Sequence, residues 1–116
     1  MTRTYADYLR DILDMITKVQ RFVSGVDMAE FEVNEEKVFA VIRALEVIGE
    51  AVKYIPETER ECYPQIPWRA IAGMRDKLIH GYFVVSVNRV WATVQQDLPP
   101  LQQVITQMLE KLEVGK

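Results

Sequence analysis

The chain has 116 residues, the size of one domain spanning residues 1–116, because halves of it would be too small to bury a sound core. Hydrophobic residues make up 49% and charged residues 27%, as in soluble globular proteins and unlike disordered chains. A formal net charge of −3 argues against non-specific coating of nucleic acid, which needs a broad cationic surface. All apolar runs are short, so we expect neither a membrane span nor a signal peptide.

One cysteine, Cys62, and one histidine, His80, limit the metal and disulfide chemistry of the chain. A lone cysteine excludes an intramolecular disulfide, and with one histidine it provides no zinc-ligand set. We therefore expect no metal site and no cofactor, and the cytoplasm is the default compartment.

The first predicted helix begins after Thr4, where apolar residues start to recur at three- and four-residue steps and continue to Val23. Thr4 and Asp7, three positions later, have the pattern of a capping box. Gly25 suits the left-handed position that follows a helix end. The stretch Val26–Val33 is predicted to be a connection with one helical turn at most.

A second helix is predicted to begin at the capping residue Asn34 and to stop before Pro56. Gly49 lies inside this helix, where glycine costs about 1 kcal/mol relative to alanine. Its presence there predicts close approach by another backbone. The segment from Pro56 to Pro67 is predicted to be looser.

Two more helical regions follow. Pro67 suits the first turn of a third helix, Trp68 to about His80, with Gly81 as its stop. Ser86 is the predicted cap of a fourth helix, and its apolar stripe continues to the chain end with a kink or a fresh first turn at Pro99-Pro100. Since no strand alternation appears, the sequence predicts an all-α, up-and-down bundle of four to five helices.

Arg75 interrupts the apolar pattern of the third helix. At about 100° per residue it falls in the middle of an apolar arc. That arc consists of Trp68, Ile71, Ala72, Leu78 and Ile79. A guanidinium directed at a core is costly unless it is paired or faces a polar cavity. A buried ion pair with Glu46 or Glu50, or snorkelling at the helix end, explains Arg75 without any function, and these interpretations stay open.

His80 lies five residues after Arg75. A position near the helix C-terminus favours its imidazolium form. The two residues are about 140° apart on an ideal helix. They serve one site only if the helix distorts or ends there, if the arginine reaches across, or if a second subunit contributes. Tyr82 returns to about the angle of Arg75 if the helix continues.

The block Pro67–Phe83 resembles the signature region of the HepT-like branch of the HEPN superfamily. The hallmark of that branch is an arginine, four residues, a histidine, one residue and a tyrosine, here Arg75, His80 and Tyr82. Three further blocks resemble the family in order along the chain: Tyr8–Leu13, Arg43–Ala51 and Trp91–Pro99. The resemblance therefore covers nearly the whole chain, with no departure at the motif positions.

The resemblance implies an α-helical, homodimeric endoribonuclease toxin of a type VII toxin–antitoxin system. It implies as partner a minimal nucleotidyltransferase antitoxin, which neutralises the toxin. By resemblance, Arg75 and His80 are the catalytic residues, and Tyr82 is the site of AMPylation by the partner. The RNA substrate, tRNA or mRNA, is not specified by the sequence, and neither DNA nor a membrane is an expected partner.

These residue types suit metal-free RNA cleavage. The reaction needs a base for the 2′-hydroxyl proton, an acid for the leaving 5′-oxygen and positive charge at the phosphorane. Imidazole titrates near neutrality, and the guanidinium fork of Arg75 matches phosphate oxygens. A single histidine does not obviously act as both the acid and the base of one cleavage reaction. A symmetric dimer that brings two copies of His80 and Arg75 into one cleft would supply both.

A polar stripe on the second helix supplies candidate supporting residues. It consists of Arg43, Glu46, Glu50 and Lys53. The simpler interpretation is a solvated or intersubunit face, because paired charges at these steps are ordinary helix support. Arg43 or Glu50 is nevertheless a candidate to orient Arg75. Asp76, next to Arg75, either supports it or only solvates the helix.

Two alternatives to a ribonuclease stay open. The first is a non-catalytic HEPN module that binds the nucleotidyltransferase, with Arg75 and His80 holding a nucleotide or phosphate. The second is a helical dimerisation domain in which Arg75 only forms an ion pair. An intact Arg-His-Tyr motif argues against the second alternative. It does little to distinguish the first alternative from a nuclease.

Overall fold

A computed structural model describes residues 2–80 and 86–114 of the chain. Its α-helices are α1 (Tyr5–Phe22), α2 (Met28–Val33), α3 (Glu35–Val52), α4 (Glu57–Glu61), α5 (Trp68–His80), α6 (Val87–Ala92) and α7 (Leu98–Val114). No strand occurs in these two described ranges, and the predicted all-α bundle is confirmed. Helices α1, α3, α5, α6 and α7 correspond to the four to five predicted helices, and α2 and α4 are short additions.

The start of α1 follows the predicted capping box. The Thr4 hydroxyl accepts a hydrogen bond from the Asp7 backbone N–H at 3.3 Å, and the Asp7 carboxylate accepts one from the Thr4 N–H at 2.8 Å. Gly25 has φ +72°, the left-handed conformation that glycine adopts without strain. The first helix therefore begins and ends at signals that can be read from the sequence.

The predicted caps of α3 and α6 are also present. The Asn34 side chain accepts from the Lys37 N–H at 3.1 Å, and the Ser86 hydroxyl accepts from the Arg89 N–H at 3.4 Å. Each cap satisfies one of the backbone donors that a helix N-terminus leaves without a partner. These contacts fix the register of α3, which carries Glu50, and the start of α6.

Short helices occur in the connection that was predicted to hold up to one helical turn and in the segment after Pro56 that was predicted to be looser. Helix α2 has six residues and is capped by the Asp27 side chain, which accepts from the Glu30 N–H at 2.8 Å. Helix α4 has five residues and follows Pro56. Apolar periodicity is a signal of longer windows, so helices of one or two turns leave little trace of it.

The helix after Ser86 widens before the two prolines. Residues Thr93–Asp97 form a π-helical segment between α6 and α7, and the Leu98 N–H donates to the Thr93 carbonyl five residues earlier. Pro99 and Pro100 have no N–H and lie in the first turn of α7. Carbonyls one turn before them lack α-helical donors, which favours the wider turn at this place.

Helix α3 lies at the centre of the packing, against α1 on one side and α5 on the other, while α1 also packs on α7. The largest fully buried side chains are Leu9, Ile12, Ile16, Val19, Phe31, Leu45, Ile48, Ile55, Leu98, Leu101, Ile105 and Met108. Within the described residues no polar or charged residue is buried as a whole. None of the helices described there combines the length and apolar character needed to cross a membrane. The contact between α3 and α5 positions the candidate site.

Candidate active site

Gly49 allows α3 and α5 to approach closely beside Arg75. A Cβ atom built on Gly49 would lie 2.9 Å from the Ile71 carbonyl oxygen and 3.0 Å from the Arg75 backbone nitrogen. Side chains do not tolerate such short distances to backbone atoms, which cannot swing away. The predicted backbone approach at Gly49 is confirmed, and the backbone that approaches is the segment of α5 that carries Arg75.

The Arg75 side chain leaves the apolar arc of α5 and reaches two carboxylates. Its Nε lies 3.2 Å from Glu50 Oε2, and its Nη1 donates to Asp76 Oδ1 at 3.1 Å. The side chain is 39% exposed, so the pair is partly solvated rather than buried. Of the two expected partners, Glu50 contacts Arg75, whereas Glu46 pairs with Arg43.

Lys53 completes a cluster of four charges. Its Nζ lies 3.5 Å from Glu50 Oε2 and 3.9 Å from Asp76 Oδ1. We call Glu50, Lys53, Arg75 and Asp76 the Arg75 ion cluster. Glu50 Oε2 is buried yet makes no directed hydrogen bond to a described residue, so its contacts with both cations are ionic. Two cations and two carboxylates leave the cluster without net charge.

Arg43, the other candidate support, is directed elsewhere. Its Nη1 lies 3.3 Å from Glu46 Oε1, one turn along the same helix, and its side chain is 73% exposed. The structure thus brings Glu50 and Asp76 to Arg75 and leaves Arg43 in a separate pair. Lys53, which the sequence placed only in the polar stripe, is the residue that pattern reasoning missed.

His80 is the last residue of α5, and the helix runs without interruption from Trp68 to it. The helix register therefore keeps positions 75 and 80 about 140° apart. The His80 side chain, and residues 81–85 with Gly81 and Tyr82, lie outside the described part of the structure. The predicted stop at Gly81 and the place of Tyr82 stay predictions.

A groove of about 980 Å³ lies on a different side of α5 from the Arg75 ion cluster. Its lining comprises Glu57, Arg60, Glu61, Pro64, Ile66, Pro67, Trp68, Arg69, Ala70, Gly73 and Lys77. Arg69, Gly73 and Lys77 share the helix register of position 80, at roughly the opposite angle from Arg75. Position 75 and position 80 thus lie on different faces of α5.

The single cysteine belongs neither to the Arg75 ion cluster nor to the lining of the groove. Cys62 is exposed just after α4, and its Sγ lies 3.4 Å from the Thr58 carbonyl oxygen. Over residues 2–80 and 86–114, no group of three or more His, Cys, Asp or Glu side chains is arranged to hold a metal ion. In that part of the chain, Arg75 forms ion pairs only with the carboxylates of Glu50 and Asp76.

Comparison with known proteins identifies the family of the chain. The family described as ribonuclease HepT-like matches residues 12–108, which include α3, α5 and the Arg75 ion cluster. The chain belongs to the ribonuclease HepT-like family. The predicted resemblance of the chain to the HepT-like branch of the HEPN superfamily is thereby confirmed.

Named relatives extend the match over almost the full length of the chain. A Thermococcus cleftensis protein named "Probable ribonuclease HepT" is 47% identical over 88% of this chain and 93% of its own. A Methanocaldococcus jannaschii protein named "Putative RNase MJ0125" is 45% identical over 91% of each chain. A Caldanaerobacter subterraneus protein named "Putative RNase TTE0752" is 38% identical over 94% of this chain and 97% of its own. No solved structure matches this HepT-like chain.

Proposed function

We propose that this protein is a metal-independent endoribonuclease toxin that acts in the cytoplasm as a homodimer. Membership of the HepT-like family, with relatives named as ribonucleases, supports RNA as the substrate class. The observation that carries the proposal is the partly exposed Arg75 guanidinium, held by Glu50 and Asp76 at a fixed place on α5. It is a positioned cation of the kind that phosphoryl chemistry requires.

The proposed reaction uses the RNA's own 2′-hydroxyl as nucleophile. A base removes its proton, the 2′-oxygen attacks the neighbouring phosphorus, and the bond from phosphorus to the 5′-oxygen breaks. An acid then protonates that 5′-oxygen, which leaves a 2′,3′-cyclic phosphate on the other fragment. His80 serves as base or acid because imidazole titrates near neutrality, and Arg75 stabilises the charge on the phosphorane.

The geometry of α5 supports a site shared between two subunits. Because the helix is continuous through His80, positions 75 and 80 of one chain point about 140° apart. A symmetric pairing of two α5 helices would set Arg75 and His80 from both chains around one cleft. Two histidines in that cleft would provide a base and an acid in the same turnover.

Regulation by a partner is the part of the proposal that comes from the family resemblance. We propose that a minimal nucleotidyltransferase antitoxin neutralises the toxin in a type VII system by AMPylating Tyr82. The Tyr82 phenol oxygen would attack the α-phosphorus of ATP, with loss of its proton and release of pyrophosphate. The added AMP brings bulk and negative charge to the chain just after α5.

The test is RNA cleavage by the purified protein in excess chelator. We expect cleavage to persist and to yield ends with a 2′,3′-cyclic phosphate or its opened product. His80→Ala and Arg75→Ala should each lower cleavage by about 10²-fold or more while keeping helix content and dimer mass. An unreactive wild type that still binds nucleotide and the nucleotidyltransferase would favour the non-catalytic alternative. A His80→Ala protein as fast as wild type would refute the mechanism.

A further inference from the structure

The contacts of Arg75 with two carboxylates hinder the binding of a phosphate through two of its guanidinium nitrogens. A guanidinium grips phosphate with two neighbouring nitrogens, either Nε and Nη2 or Nη1 and Nη2. Here Nε faces Glu50 and Nη1 donates to Asp76, whereas Nη2 has no partner within the described residues. Either pair therefore contains one nitrogen that a carboxylate already holds. Nη1 has two N–H groups, so the Asp76 contact does not fill it, but a phosphate on the Nη1–Nη2 edge would lie beside the Asp76 carboxylate and be repelled by its charge until that carboxylate withdraws.

Lys53 already lies against the same two oxygen atoms. Its Nζ is 3.5 Å from the Glu50 Oε2 that contacts Arg75 Nε, and 3.9 Å from the Asp76 Oδ1 that accepts from Arg75 Nη1. The 3.9 Å separation is too long for a hydrogen bond. A lysine ammonium on its flexible four-carbon stem can close such a gap. Lys53 is thus a second cationic partner for either carboxylate.

Asp76 is the carboxylate better suited to move. Its side chain is 56% exposed, against 43% for Glu50, and Glu50 Oε2 is itself buried between the two cations. Releasing Asp76 frees Nη1 and leaves the Nη1–Nη2 edge of Arg75 open to solvent. Glu50 then continues to hold Nε, so the guanidinium keeps its place while its outer edge takes a new partner.

We propose that Lys53 is a positioning residue that takes over the Asp76 carboxylate when Arg75 receives an RNA phosphate. This inference rests on the proposed function, in which Arg75 binds that phosphate. The exchange gives each of the three anions a contact with a cation: Glu50 and the phosphate contact Arg75, and Asp76 contacts Lys53. Without Lys53, the remaining cluster would carry one net negative charge and Asp76 would compete with RNA for the same guanidinium nitrogen.

The experiment measures kcat and KM for RNA cleavage by Lys53→Met, which removes the charge and keeps an unbranched stem. We expect KM to rise about threefold to fivefold, the range of one exposed ion pair, with kcat within about twofold of wild type. Lys53→Arg should stay near wild type. The matched control is Lys18→Met, because Lys18 also pairs with a carboxylate, Asp14, and its side chain is 40% exposed against 37% for Lys53.

A double variant distinguishes exchange from direct contact with RNA. Adding Asp76→Asn to Lys53→Met removes the competing charge, so KM should return towards the wild-type value. If KM does not recover and the salt slope of RNA binding falls by about 0.7, Lys53 contacts a phosphate itself and the exchange is wrong. A noncleavable RNA with 2′-deoxyribose at the scissile position gives the same comparison as dissociation constants.

Failure of the inference can be told from failure of the proposed function. If wild type cuts RNA only with Arg75 intact, and Lys53→Met matches Lys18→Met in KM, the Lys53 inference alone is overturned. If Arg75→Ala cuts RNA as well as wild type does, the proposed function fails and the inference falls with it. Far-ultraviolet circular dichroism of every variant separates these outcomes from loss of folding.

Discussion

A Cβ atom on Gly49 would lie 3.2 Å from the Cβ of Arg75, so a missing side chain on α3 sets the depth of the arginine between the two helices. Glu50 follows Gly49 in the chain, and its Oε2 lies 3.2 Å from Arg75 Nε. The close approach and the ion pair therefore belong to one arrangement. The backbone places Arg75, and the carboxylates then orient its guanidinium.

We expect Gly49→Ala to be destabilising although alanine is the better helix former. The new methyl group would overlap the Ile71 carbonyl and the Arg75 backbone, and overpacking of this kind costs about 1–3 kcal/mol. Displacement of Arg75 should also lower RNA cleavage, by about tenfold or more, because small errors in position are costly in catalysis. Urea unfolding and cleavage rates measure the two effects.

Gly73→Ala is the matched control. Gly73 also lies inside a helix, but a Cβ there would meet nothing within 4 Å. Alanine should therefore raise the free energy of unfolding by up to about 1 kcal/mol. If Gly49→Ala is as stable and active as Gly73→Ala, the contact between α3 and α5 does not set the position of Arg75.

Local signals in the sequence predict much of the fold. The capping box at Thr4, the cap at Asn34 and the proline before Trp68 each act over a few residues, and the structure has all three helix starts. Gly49 also signals its role locally, because an interior glycine has a known cost that packing must offset. The short helix α4 has no comparable pattern of its own.

The ion cluster depends on packing that a sequence pattern does not contain. Glu46 and Glu50 are one turn apart on α3, so the sequence offers both to Arg75, and the rotation of α3 against α5 selects Glu50. The approach of Lys53 to Asp76 joins residues on different helices. Such a contact is fixed by how two helices dock, which is why the sequence placed Lys53 only in a polar stripe with a solvated or intersubunit face.

Arg75 variants test whether charge or the guanidinium fork matters. We expect Arg75→Ala to lower the cleavage rate by about 10²–10³, the usual effect of removing one stabilising donor. Arg75→Lys keeps the charge but offers no planar fork, so its cleavage rate should still be at least about tenfold below that of wild type. Because Arg75 is 39% exposed, stability should change by no more than about 1 kcal/mol.

Arg10→Ala is the control for this series. Arg10 is a surface arginine on α1 that pairs with Asp7 at 3.5 Å, so its loss changes the net charge equally. Cleavage by this variant should stay near the wild-type rate. An Arg75→Lys protein that cleaves as fast as wild type would show that a point charge is sufficient and that the fork has no part in catalysis.

Mixing active and inactive subunits tests the shared cleft. The inactive protein is Arg75→Ala/His80→Ala, exchanged with wild type by dilution and reconcentration. If each cleft needs both copies of the two residues, mixed dimers are inactive, and equal amounts should leave about a quarter of the wild-type activity. If each chain works alone, about half should remain. Light scattering that gives an active monomer at micromolar concentration would also exclude the shared cleft.

The capping box should make stability depend on acid pH. The Thr4 backbone N–H donates to the Asp7 carboxylate, and this bond is the main reason that the pKa of Asp7 is lowered. A lowered pKa in the folded state stabilises the protein above the ordinary pKa of the group, and this contribution disappears as pH falls through the lowered value. Asp7→Asn should therefore flatten the acid limb of the stability curve.

Urea unfolding midpoints between neutral and strongly acid pH provide the measurement. Asp14→Asn is the control, since Asp14 pairs with the Lys18 side chain on the same helix and caps no helix end. An Asp7→Asn protein that loses stability on acidification as steeply as wild type would place the acid sensitivity elsewhere.

Tyr82 provides the test of regulation. Tyr82→Phe keeps the ring but removes the phenol oxygen, so a paired nucleotidyltransferase with ATP should add AMP to wild type and not to the variant. The added AMP carries negative charge close in the chain to Arg75. Modified wild type should therefore cut RNA slowly, because the AMP blocks the cleft and competes with RNA for the cation. Intact mass and cleavage rate are measured before and after incubation with the partner.

We expect Tyr82→Phe to keep at least part of the nuclease activity and to lose none of it on incubation. A full shift in mass on Tyr82→Phe, or modified wild type that cuts normally, would exclude this control. An inactive Tyr82→Phe before any partner is added would instead make Tyr82 part of the catalytic set.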